Sequence, residues 1–532
     1  MHSAARVARA ARSLRPRAFS SRAAVVRETE VLVVGCGIAG CAAATSLARQ
    51  GRKVMLLSAS QDPLDCNSYW AQGGIIYKSP DDTPEDLAED IHTAGAGLCS
   101  DDAVMQLGRK GPKSVEELLL EIAKVPFDLA EDGSLALCLE GGHHKARIIH
   151  WGDSTGRAIT EYLQRAVINM PEVQLVHSAP VVDLIMEDGV CVGAQILREG
   201  ELEVVAAGET ILATGGIGEV YAHTSNPPSA NGDGIALGRR VGAELRGMEY
   251  VQFHPTTLYR PGHRSFLVSE AVRGEGARLI NAAGERFAFD YHPMGELAPR
   301  DIVARMIRSE MALSGSPSVN LDISHRERPY LEKRFPAIFK QCLKAGFDLS
   351  QGGIPVTPAQ HFSCGGISVD LTSQTSVRGL RAVGEVSSTG LHGGNRLAST
   401  SLLEGLVWGQ SAAADIQSKD LATPVEKAKE AVSKHLTTNT GDAAADEEEV
   451  QALRRKMQQV MWDKVGIIRS TPDLEAAGAE LAGLQAEAEG IYKSRKLTLS
   501  TMALRNGVAT AQSIQEAAAA NPVSKGAHFM QR

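Results

Sequence analysis

The stretch TEVLVVGCGIAGCAAATSLARQ, residues Thr29–Gln50, decides the fold. Its apolar run up to Val34 predicts a buried strand, and the apolar residues after Gly40 predict a helix that ends near Gln50. Between them, Gly35-Cys36-Gly37-Ile38-Ala39-Gly40 fits the pattern G-x-G-x-x-G. The first glycine of this pattern permits a tight turn, the second lets a pyrophosphate approach the backbone, and the third packs the helix against the strand. The phosphates then lie at a helix N-terminus, which favours anions, so the stretch predicts a dinucleotide-binding site.

The chain around this stretch has the pattern of an interrupted nucleotide-binding fold. A second strand is predicted at Lys53–Ser58, and a strand–helix–strand start is typical of a parallel, doubly wound sheet. Over residues 174–215, β-rich runs alternate with turns and lead into the apolar strand Glu209–Ala213. A segment rich in His, Pro and charge follows at about 249–355, and the Gly-rich strand–helix pattern resumes at Leu380–Ala414. We therefore predict an α/β fold in which a doubly wound, Rossmann-like domain carries an inserted α+β capping domain and precedes a C-terminal helical domain.

The predicted domain boundaries follow changes in composition. A polar, acidic texture after residue 420 indicates a linker, and the Ala-, Leu- and Gln-rich sequence beyond it has helical periodicity. The predicted divisions are a targeting peptide at 1–26, the first part of the nucleotide-binding domain at 27–248, the capping domain at 249–355, the second part of the nucleotide-binding domain at 356–420, a linker at 421–450 and the helical domain at 451–532.

Charge excludes several functions. The chain has 532 residues and a formal net charge of −8, which argues against nucleic acid or an anionic membrane as its main partner. Residues 1–26 contain six arginines and no acidic residue, a composition typical of an organelle-targeting peptide. The run Arg17–Ser21 resembles a mitochondrial cleavage site, so we predict a mitochondrial location, with the plastid as the alternative.

The cysteines and the apolar runs bear on whether the chain is a disulfide-linked, metal-binding or membrane-spanning protein. The eight cysteines form no C-x-x-C pair, which predicts reduced thiols and neither a disulfide framework, an iron–sulfur cluster nor another metal site. The run Val31–Ala48 has the length of a membrane span, but its glycines have strand-to-helix spacing. We therefore interpret it as a buried strand and helix and predict no membrane span.

Several segments after the fingerprint bear on the cofactor. The second strand ends in Leu57-Ser58-Ala59, whereas NAD-binding folds usually have an Asp or Glu there that binds the ribose. This disfavours NAD as the cofactor and predicts that Ser58 or a neighbouring residue binds the ribose. Polar, glycine-containing segments occur at Asn67–Gly74, Asn231–Ile235 and Gly384-Glu385, and the polar segment Asn395–Leu402 opens a predicted helix. Each of them alone is compatible with an ordinary turn.

Together and in this order, these segments resemble the fumarate reductase/succinate dehydrogenase flavoprotein family over about residues 29–415. The resemblance implies FAD as the cofactor. The FAD contacts that it implies are Gly35, Cys36, Gly37, Ile38, Ala39, Gly40, Ser58, Asn67, Ser68, Gln72, Gly73, Gly74, Val182, Asp233, Glu385, Ser401 and Leu402.

Two histidines and an arginine form the predicted substrate site. His254 and His361 lie in turn-like contexts flanked by Pro or Gly, and Arg396 follows one strand–helix unit later. An isolated histidine is more often structural, but these three side chains together offer the donors that two carboxylates need. The resemblance implies this role for them, together with Thr256 and Ser399.

Arg300 is the candidate for proton transfer. The resemblance implies that Arg300 exchanges a proton with the substrate and that Arg273 and Glu270 relay it. An arginine is a poor base because its pKa exceeds ~12, so neighbouring charges must bias the proton. The alternative is a buried ion-pair cluster with a structural role.

Two positions distinguish the branches of this family. Succinate dehydrogenases and membrane-bound fumarate reductases carry a histidine, covalently bonded to the flavin, five residues before the Gln of A-Q-G-G. Asn67 occupies that position here, which predicts non-covalent FAD. The run Leu139–His150 resembles the L-aspartate oxidase branch, in which Glu140 replaces an apolar residue and suits the ammonium of an amino dicarboxylate.

The resemblance implies FAD-dependent oxidation of L-aspartate to iminoaspartate, with O2 (giving H2O2) or fumarate as electron acceptor. In this branch the product feeds quinolinate and hence NAD synthesis, so quinolinate synthase is an implied partner. The alternatives are a soluble fumarate reductase, a succinate dehydrogenase flavoprotein subunit of a membrane complex, and a non-catalytic FAD-binding module. Asn67 and Glu140 oppose the membrane-complex subunit, and the complete polar set of the predicted site opposes the non-catalytic module.

Overall fold

A computed structural model describes residues 25–439 and 443–531. The first 24 residues of the predicted targeting peptide, 1–26, lie outside the described residues. Val26 already begins the first strand, three residues before the predicted start, because it pairs with Val204 of a neighbouring strand.

The strands are, in chain order, β1 Val26–Val34, β2 Val54–Leu57, β3 Ile75–Ile76, β4 Leu137–Cys138, β5 Ile148–Ile149, β6 Val173–Val176, β7 Val181–Glu187, β8 Val190–Arg198, β9 Glu201–Leu212, β10 Leu245–Arg246, β11 Val251–Leu258, β12 Phe266–Leu267, β13 Arg278–Ile280, β14 Val319–Asp322, β15 Ile354–Ser363, β16 Gly366–Ser368, β17 Leu380–Ala382 and β18 Ser387–Ser388.

The α-helices are α1 Ile38–Arg49, α2 Asn67–Trp70, α3 Pro84–Ala94, α4 Asp101–Ser114, α5 Thr155–Ile168, α6 Asp233–Arg240, α7 Glu270–Gly274, α8 Ala288–Tyr291, α9 Arg300–Ser314, α10 Arg328–Arg334, α11 Pro336–Lys344, α12 Thr400–Ser418, α13 Val425–Ser433, α14 Glu447–Lys464, α15 Thr471–Ser494 and α16 Leu499–Ala520. A π-helical segment, Val115–Ile122, continues α4.

The largest sheet is the predicted nucleotide-binding sheet. Its strand order is β6-β2-β1-β9-β8-β7, and β17 pairs with β9. Strands β6, β2, β1, β9 and β17 run parallel, which confirms the doubly wound arrangement. Strand β8 runs antiparallel to both of its neighbours, β7 and β9. This departure from a parallel sheet follows from the two-residue turn Asp188-Gly189 that joins β7 to β8. Because β17 joins this sheet after the insertion, the sheet is built from two separate parts of the chain.

A second, antiparallel sheet forms the inserted domain. Its order is β12-β11-β15-β14-β13, and α9 packs against β11 and β15. Strand β15 ends at Ser363, so this sheet extends past the predicted boundary at residue 355. The two long strands β11 and β15 carry His254 and His361 towards the nucleotide-binding domain.

The C-terminal part is helical, as predicted. Helices α14, α15 and α16 pack on one another and on the nucleotide-binding domain, with Met461, Leu484 and Val508 fully buried among them. The segment 421–450, predicted as a linker, contains α13. The alanines at 428 and 431 and Val432 form one apolar face at helical spacing, and this face covers Val192, Val204 and Ala206 of the large sheet.

Within residues 25–439 and 443–531, no helix has the length and apolar character needed to cross a membrane.

Candidate active site

One large cavity lies where the nucleotide-binding sheet meets the inserted domain. Its volume is about 930 Å³, and it is lined at one end by Val34–Ala39 and Ala213–Gly216, which follow strands β1 and β9. Ligands of open α/β sheets bind outside the carboxyl ends of the strands, and the cavity has this position. At its other end it reaches His254, Arg300 and His361.

The fingerprint turn fits a dinucleotide. Gly35 has φ +110°, and a Cβ placed there would lie 2.2 Å from the carbonyl oxygen of Ala213. A Cβ at Gly40 would lie 1.9 Å from the carbonyl oxygen of Gly35, so this close packing of helix on strand requires glycine. Helix α1 begins without a capping side chain and without an acidic residue in its first turn. Its first backbone N–H groups are therefore suited to a pyrophosphate.

Two buried polar atoms in the cavity wall fit the same ligand. The hydroxyl of Thr214 and Oε1 of Gln72 have no hydrogen-bond partner among the described residues. Buried polar groups are normally paired, so both atoms are suited to a bound polar ligand. Gln72 was predicted from the sequence. Thr214 was missed, although its position directly after the apolar strand β9, at the start of Thr214-Gly-Gly216, is a signal for it.

Most of the predicted cofactor residues line the cavity. These are Gly35, Cys36, Gly37, Ile38, Ala39, Ser58, Asn67, Ser68, Gln72, Gly73, Gly74, Asp233, Glu385, Ser401 and Leu402. Gly40 lies behind the turn, as its packing role requires. Val182 does not line the cavity; its neighbour Val181 does, because successive strand residues face opposite sides. The side chain of Val182 packs instead with Leu197 and Met502.

Glu385 is a buried acid in the cofactor half of the cavity. It accepts hydrogen bonds from Asn67 Nδ2 (3.2 Å) and from the backbone N–H of Ser363 (3.0 Å). Burial raises the pKa of Glu385 to about 7. At neutral pH it therefore carries a proton part of the time and can both donate and accept hydrogen bonds.

The loop Asn231–Asp233 is held by the C-terminal helices. Three side chains of α14 and α16 bond to it: Arg454 to Asn231 Oδ1 (3.0 Å), Thr510 to the carbonyl of Gly232 (3.0 Å) and Asn506 to Asp233 Oδ1 (2.8 Å). Arg454 also lines the cavity. Sequence reasoning missed these three residues, because they bond to positions 223 to 278 residues away and no motif marks them. The helical domain thus contributes to the wall of this cavity.

Replacing Asn506 with alanine is expected to weaken FAD binding. The change removes the hydrogen bond to the buried Asp233 carboxylate, whose pKa burial already raises, and so loosens the loop. We expect the Kd for FAD to rise about ten-fold, the equivalent of one such bond. Flavin fluorescence during titration of the apoprotein measures this. Asn169→Ala, at an exposed asparagine, is the control; equal Kd values for both variants would contradict the expectation.

The two predicted histidines meet in the substrate half of the cavity. The ring centroids of His254 and His361 lie 5.4 Å apart. Burial lowers the pKa of both well below the usual value; the next causes are Arg300 for His254 and Arg396 for His361. Both imidazoles are therefore neutral at pH 7. Nδ1 of His254 lies 3.2 Å from the backbone nitrogen and 3.1 Å from the carbonyl oxygen of Thr256, so the tautomer of the ring decides which of the two it bonds to. In the tautomer in which Nδ1 accepts, Nε2–H can donate to a ligand.

Thr256 has a different position from the one predicted. It does not line the cavity; its hydroxyl donates to the carbonyl of Val268 (3.0 Å), and its backbone N–H fixes the ring of His254. The tight backbone at His254-Pro255-Thr256, where β11 and β15 lose register, turns the hydroxyl away from the cavity. Thr256 therefore orients a predicted ligand-binding residue.

Arg396 is a buried cation in the cavity wall. Its Nε and Nη2 donate to Oε1 of Gln252 (3.3 and 3.1 Å), and its guanidinium lies 4.9 Å from the ring centroid of Phe362. Burial, followed by the charge of Arg300, lowers its pKa to about 10. It remains protonated at neutral pH and is suited to bind a carboxylate. Gln252, which holds it, was missed by sequence reasoning.

The predicted proton relay is assembled in space. Arg300 Nε donates to Glu270 Oε2, and Arg273 Nη2 lies 3.6 Å from Glu270 Oε1. Burial favours a high pKa for Glu270, but the charges of Arg300 and Arg273 outweigh it and hold the pKa at about 2. Glu270 in turn raises the pKa of Arg300 against the effect of burial. Arg300 and Glu270 line the cavity, whereas Arg273 lies fully buried behind them.

Glu140 is a further carboxylate in the cavity. Its Oε2 accepts the hydroxyl of Ser399 (2.6 Å), and its Oε1 accepts the backbone N–H of Gly74 (3.3 Å). Both Glu140 and Ser399 line the cavity, as predicted. The cavity thus combines the Glu140 carboxylate with neutral and cationic donors, a composition that suits a ligand with one ammonium and two carboxylates.

In the part of the chain that the structure describes, no three His, Cys, Asp or Glu side chains are grouped to hold a metal ion, and all eight cysteines are free.

Fold and site define an FAD-binding flavoprotein. Residues 30–402 match the family described as FAD binding domain, and residues 454–531 match the family described as Fumarate reductase flavoprotein C-term. The fold is similar to that of a mutant of E. coli quinol fumarate reductase FrdA, with a TM-score of 0.85, 29% identity and coverage of 96% of this chain and 92% of that one. Mycobacterium smegmatis Sdh1 gives a TM-score of 0.82 at 30% identity, covering 95% and 89% of the two chains.

The curated relatives specify the branch. The chain is 40% identical over 517 residues to L-aspartate oxidase of Pseudomonas aeruginosa, covering 94% of each. It is 39% identical over 510 residues to L-aspartate oxidase 1 of Ralstonia nicotianae, again covering 94% of each. It is also 37% identical to the chloroplastic L-aspartate oxidase of Oryza sativa subsp. japonica, covering 94% of this chain and 81% of that one. The chain belongs to the L-aspartate oxidase family, which confirms the resemblance seen in the sequence.

Acid denaturation is expected to release all of the FAD. Asn67 has no ring nitrogen that could bond to the flavin, and its amide is engaged with Glu385. After precipitation with acid, we expect the flavin absorbance entirely in the supernatant. Flavin that stays with the washed precipitate would show a covalent link at some other residue.

Proposed function

We propose that the chain oxidises L-aspartate to iminoaspartate with FAD as cofactor. The substrate loses one hydrogen from Cα as hydride and one proton from its nitrogen, and the two electrons reduce O2 to H2O2 or fumarate to succinate. The observation that carries this proposal is that Glu140 lines the same cavity as the donors His254, His361 and Arg396. Relatives with 39–40% identity over 94% of the chain bear the name of this activity.

The donor set holds the two carboxylates. Arg396 and Arg300 are protonated at neutral pH, since the pKa of Arg396 is about 10 and that of Arg300 is raised by Glu270, the first cause after the opposing burial. The ring of His254 adds a neutral donor in the tautomer in which Nδ1 accepts from the backbone of Thr256 and Nε2 carries the proton. Charge-assisted bonds from these groups fix a four-carbon dicarboxylate at both ends. Glu140 accepts from the ammonium, so it favours aspartate over succinate.

Arg300 is the proposed proton-exchange group. In the resting site Arg300 is protonated and Glu270 is ionised, so Arg300 acts as the proton donor. A proton taken up from solvent then passes through Arg273 and Glu270 and restores the charge of Arg300. This polarity suits fumarate reduction, in which one carbon of the double bond must receive a proton. Bound FAD supplies the two-electron redox chemistry by accepting or delivering the hydride.

An anaerobic titration tests the proposal. Purified protein saturated with FAD is titrated with L-aspartate and, separately, with succinate, and the flavin absorbance is recorded. We expect aspartate to bleach the flavin at much lower concentration than succinate. Bleaching by succinate alone would instead support the alternative, a soluble fumarate reductase or a succinate dehydrogenase flavoprotein subunit, a reading favoured by the similarity in fold to FrdA and Sdh1.

We also propose that quinolinate synthase consumes the product. Iminoaspartate hydrolyses in water, so the consuming enzyme must act quickly. A coupled assay in which quinolinate yield is measured with and without a dialysis membrane between the two enzymes tests for direct transfer. Equal yields would leave free diffusion as the route.

Residues 1–26 are proposed to direct the chain to an organelle. Six arginines without an acidic residue support this, and the chloroplastic rice relative favours a plastid over the mitochondrion. Residues 1–26 can be fused to a fluorescent protein, and the organelle in which the fluorescence accumulates tests the proposed targeting role. A diffuse cytosolic signal would contradict a targeting role.

A further inference from the structure

A buried ion-pair network lies beside the substrate site and has no part in the chemistry described above. Arg147 is fully buried, and its Nε and Nη2 bind the two carboxylate oxygens of Asp82 (2.8 and 3.0 Å). Its Nη1 binds Asp90 of α3, which is also fully buried. Such a network loses stability when one partner is removed, so it holds Arg147 in one place.

The network fixes the protonation of His143. Nη1 of Arg147 lies 3.1 Å from Nδ1 of His143. A guanidinium can only donate, so Nδ1 accepts and the ring proton must be on Nε2. Burial lowers the pKa of His143, and the charge of Arg147 acts in the same direction, so the ring is neutral. Its Nε2–H then donates to the carbonyl of Ala398 (3.0 Å).

His143 contacts both the backbone of Glu140 and the segment Ala398-Ser399, which binds the Glu140 carboxylate. Its backbone N–H donates to the carbonyl of Glu140 (3.2 Å), which closes the turn that carries this residue. Its ring holds Ala398, and the next residue, Ser399, has a left-handed backbone with φ +55° and donates its hydroxyl to the Glu140 carboxylate. A non-glycine residue with this φ persists where its surroundings hold it. The orientation of the Glu140 carboxylate therefore depends on the ring of His143.

We propose that His143 is a positioning residue that orients the Glu140 carboxylate and thereby sets the selectivity for an amino dicarboxylate. The proposal rests on the proposed function, in which Glu140 accepts from the ammonium of aspartate. Asp90 and Arg147 act through His143 by holding its Nδ1 as an acceptor.

Aspartate oxidation and fumarate reduction by His143→Leu, measured on one FAD-saturated preparation, test the proposal. The kcat/KM for aspartate should fall roughly 10- to 100-fold, the equivalent of a lost buried hydrogen bond, while fumarate reduction changes little. His143→Gln keeps a donor and an acceptor and should lose less. The control is His144→Gln, since the ring of His144 also binds Asp90 but is largely exposed and does not reach Ala398. Equal loss of both activities in the His143 variants would overturn the proposal.

A double-mutant cycle separates this proposal from the function of Glu140. If His143 acts through Glu140, His143→Leu should have little further effect on aspartate kcat/KM in a Glu140→Gln background. Additive losses would show that His143 acts elsewhere, with the role of Glu140 intact. If Glu140→Gln alone leaves aspartate kinetics unchanged, the proposed ammonium contact fails, and the positioning role fails with it. His143→Gln replaces His143→Leu in the cycle if the leucine variant does not fold.

Discussion

Replacing Arg300 with lysine is expected to lower kcat for fumarate reduction by roughly 10²- to 10⁴-fold, the usual contribution of a general acid. Aspartate oxidation should also lose most of its turnover, because a dicarboxylate-binding donor changes shape. Lysine keeps the charge but has a single nitrogen, so it cannot bind Glu270 and a substrate with the planar, forked geometry of a guanidinium. The measurements are steady-state kinetics of aspartate oxidation and of fumarate reduction, with FAD content and Tm determined on the same preparation.

The matched control for this variant is Arg305→Lys. Arg305 lies on the same helix, α9, and pairs with Asp301 (2.8 Å), but it does not line the cavity. Its replacement should leave both activities near those of the unmodified protein. If Arg300→Lys retains near-normal kcat, Arg300 is not the proton-exchange group, and the relay with Glu270 is a structural ion-pair cluster.

The cofactor half of the site could be predicted from the sequence wherever contacts are local. The fingerprint Gly35–Gly40 sets a turn and a helix N-terminus within a few residues, so its spacing alone determines where a phosphate fits. Val182 shows the limit of this reasoning. Successive residues of a strand face opposite sides of the sheet, so an error of one residue exchanges a cavity-lining side chain for one in the core. Strand β7 is buried on both faces, so its composition does not show which of its residues face the cavity.

The residues that sequence reasoning missed act across long separations. Asn506 and Arg454 belong to the helical domain, and nothing in an Ala- and Leu-rich helix marks the one polar side chain that reaches Asp233. Gln252 binds Arg396 from 144 residues away, and no motif in the sequence around it indicates this contact. Such contacts require the three-dimensional structure, whereas motifs reveal residues whose partners are near in sequence or whose spacing is fixed by chemistry.

Replacing Glu140 with glutamine is expected to separate the two activities. Glutamine keeps the shape. Its carbonyl oxygen can accept from the backbone N–H of Gly74, and its amide nitrogen can donate to the hydroxyl oxygen of Ser399, which then acts as the acceptor, so the site should remain assembled. The ammonium of aspartate loses its charged partner, and kcat/KM for aspartate should fall by about 2–4 kcal/mol, or roughly 30- to 1,000-fold. Fumarate and succinate have no ammonium, and loss of the carboxylate relieves repulsion with their own charges.

Fumarate reduction by this variant should therefore hold steady or improve, and the difference between the two changes carries the test. A general folding defect would depress both activities together, so both are measured on one FAD-replete preparation. Glu131→Gln, at an exposed carboxylate in the same region of the chain, is the control and should change neither activity. A parallel loss of both activities, or unchanged aspartate kinetics, would make Glu140 structural. The preference for an amino dicarboxylate would then have to come from the donor set of His254, His361 and Arg396, which by itself accepts succinate as readily as aspartate.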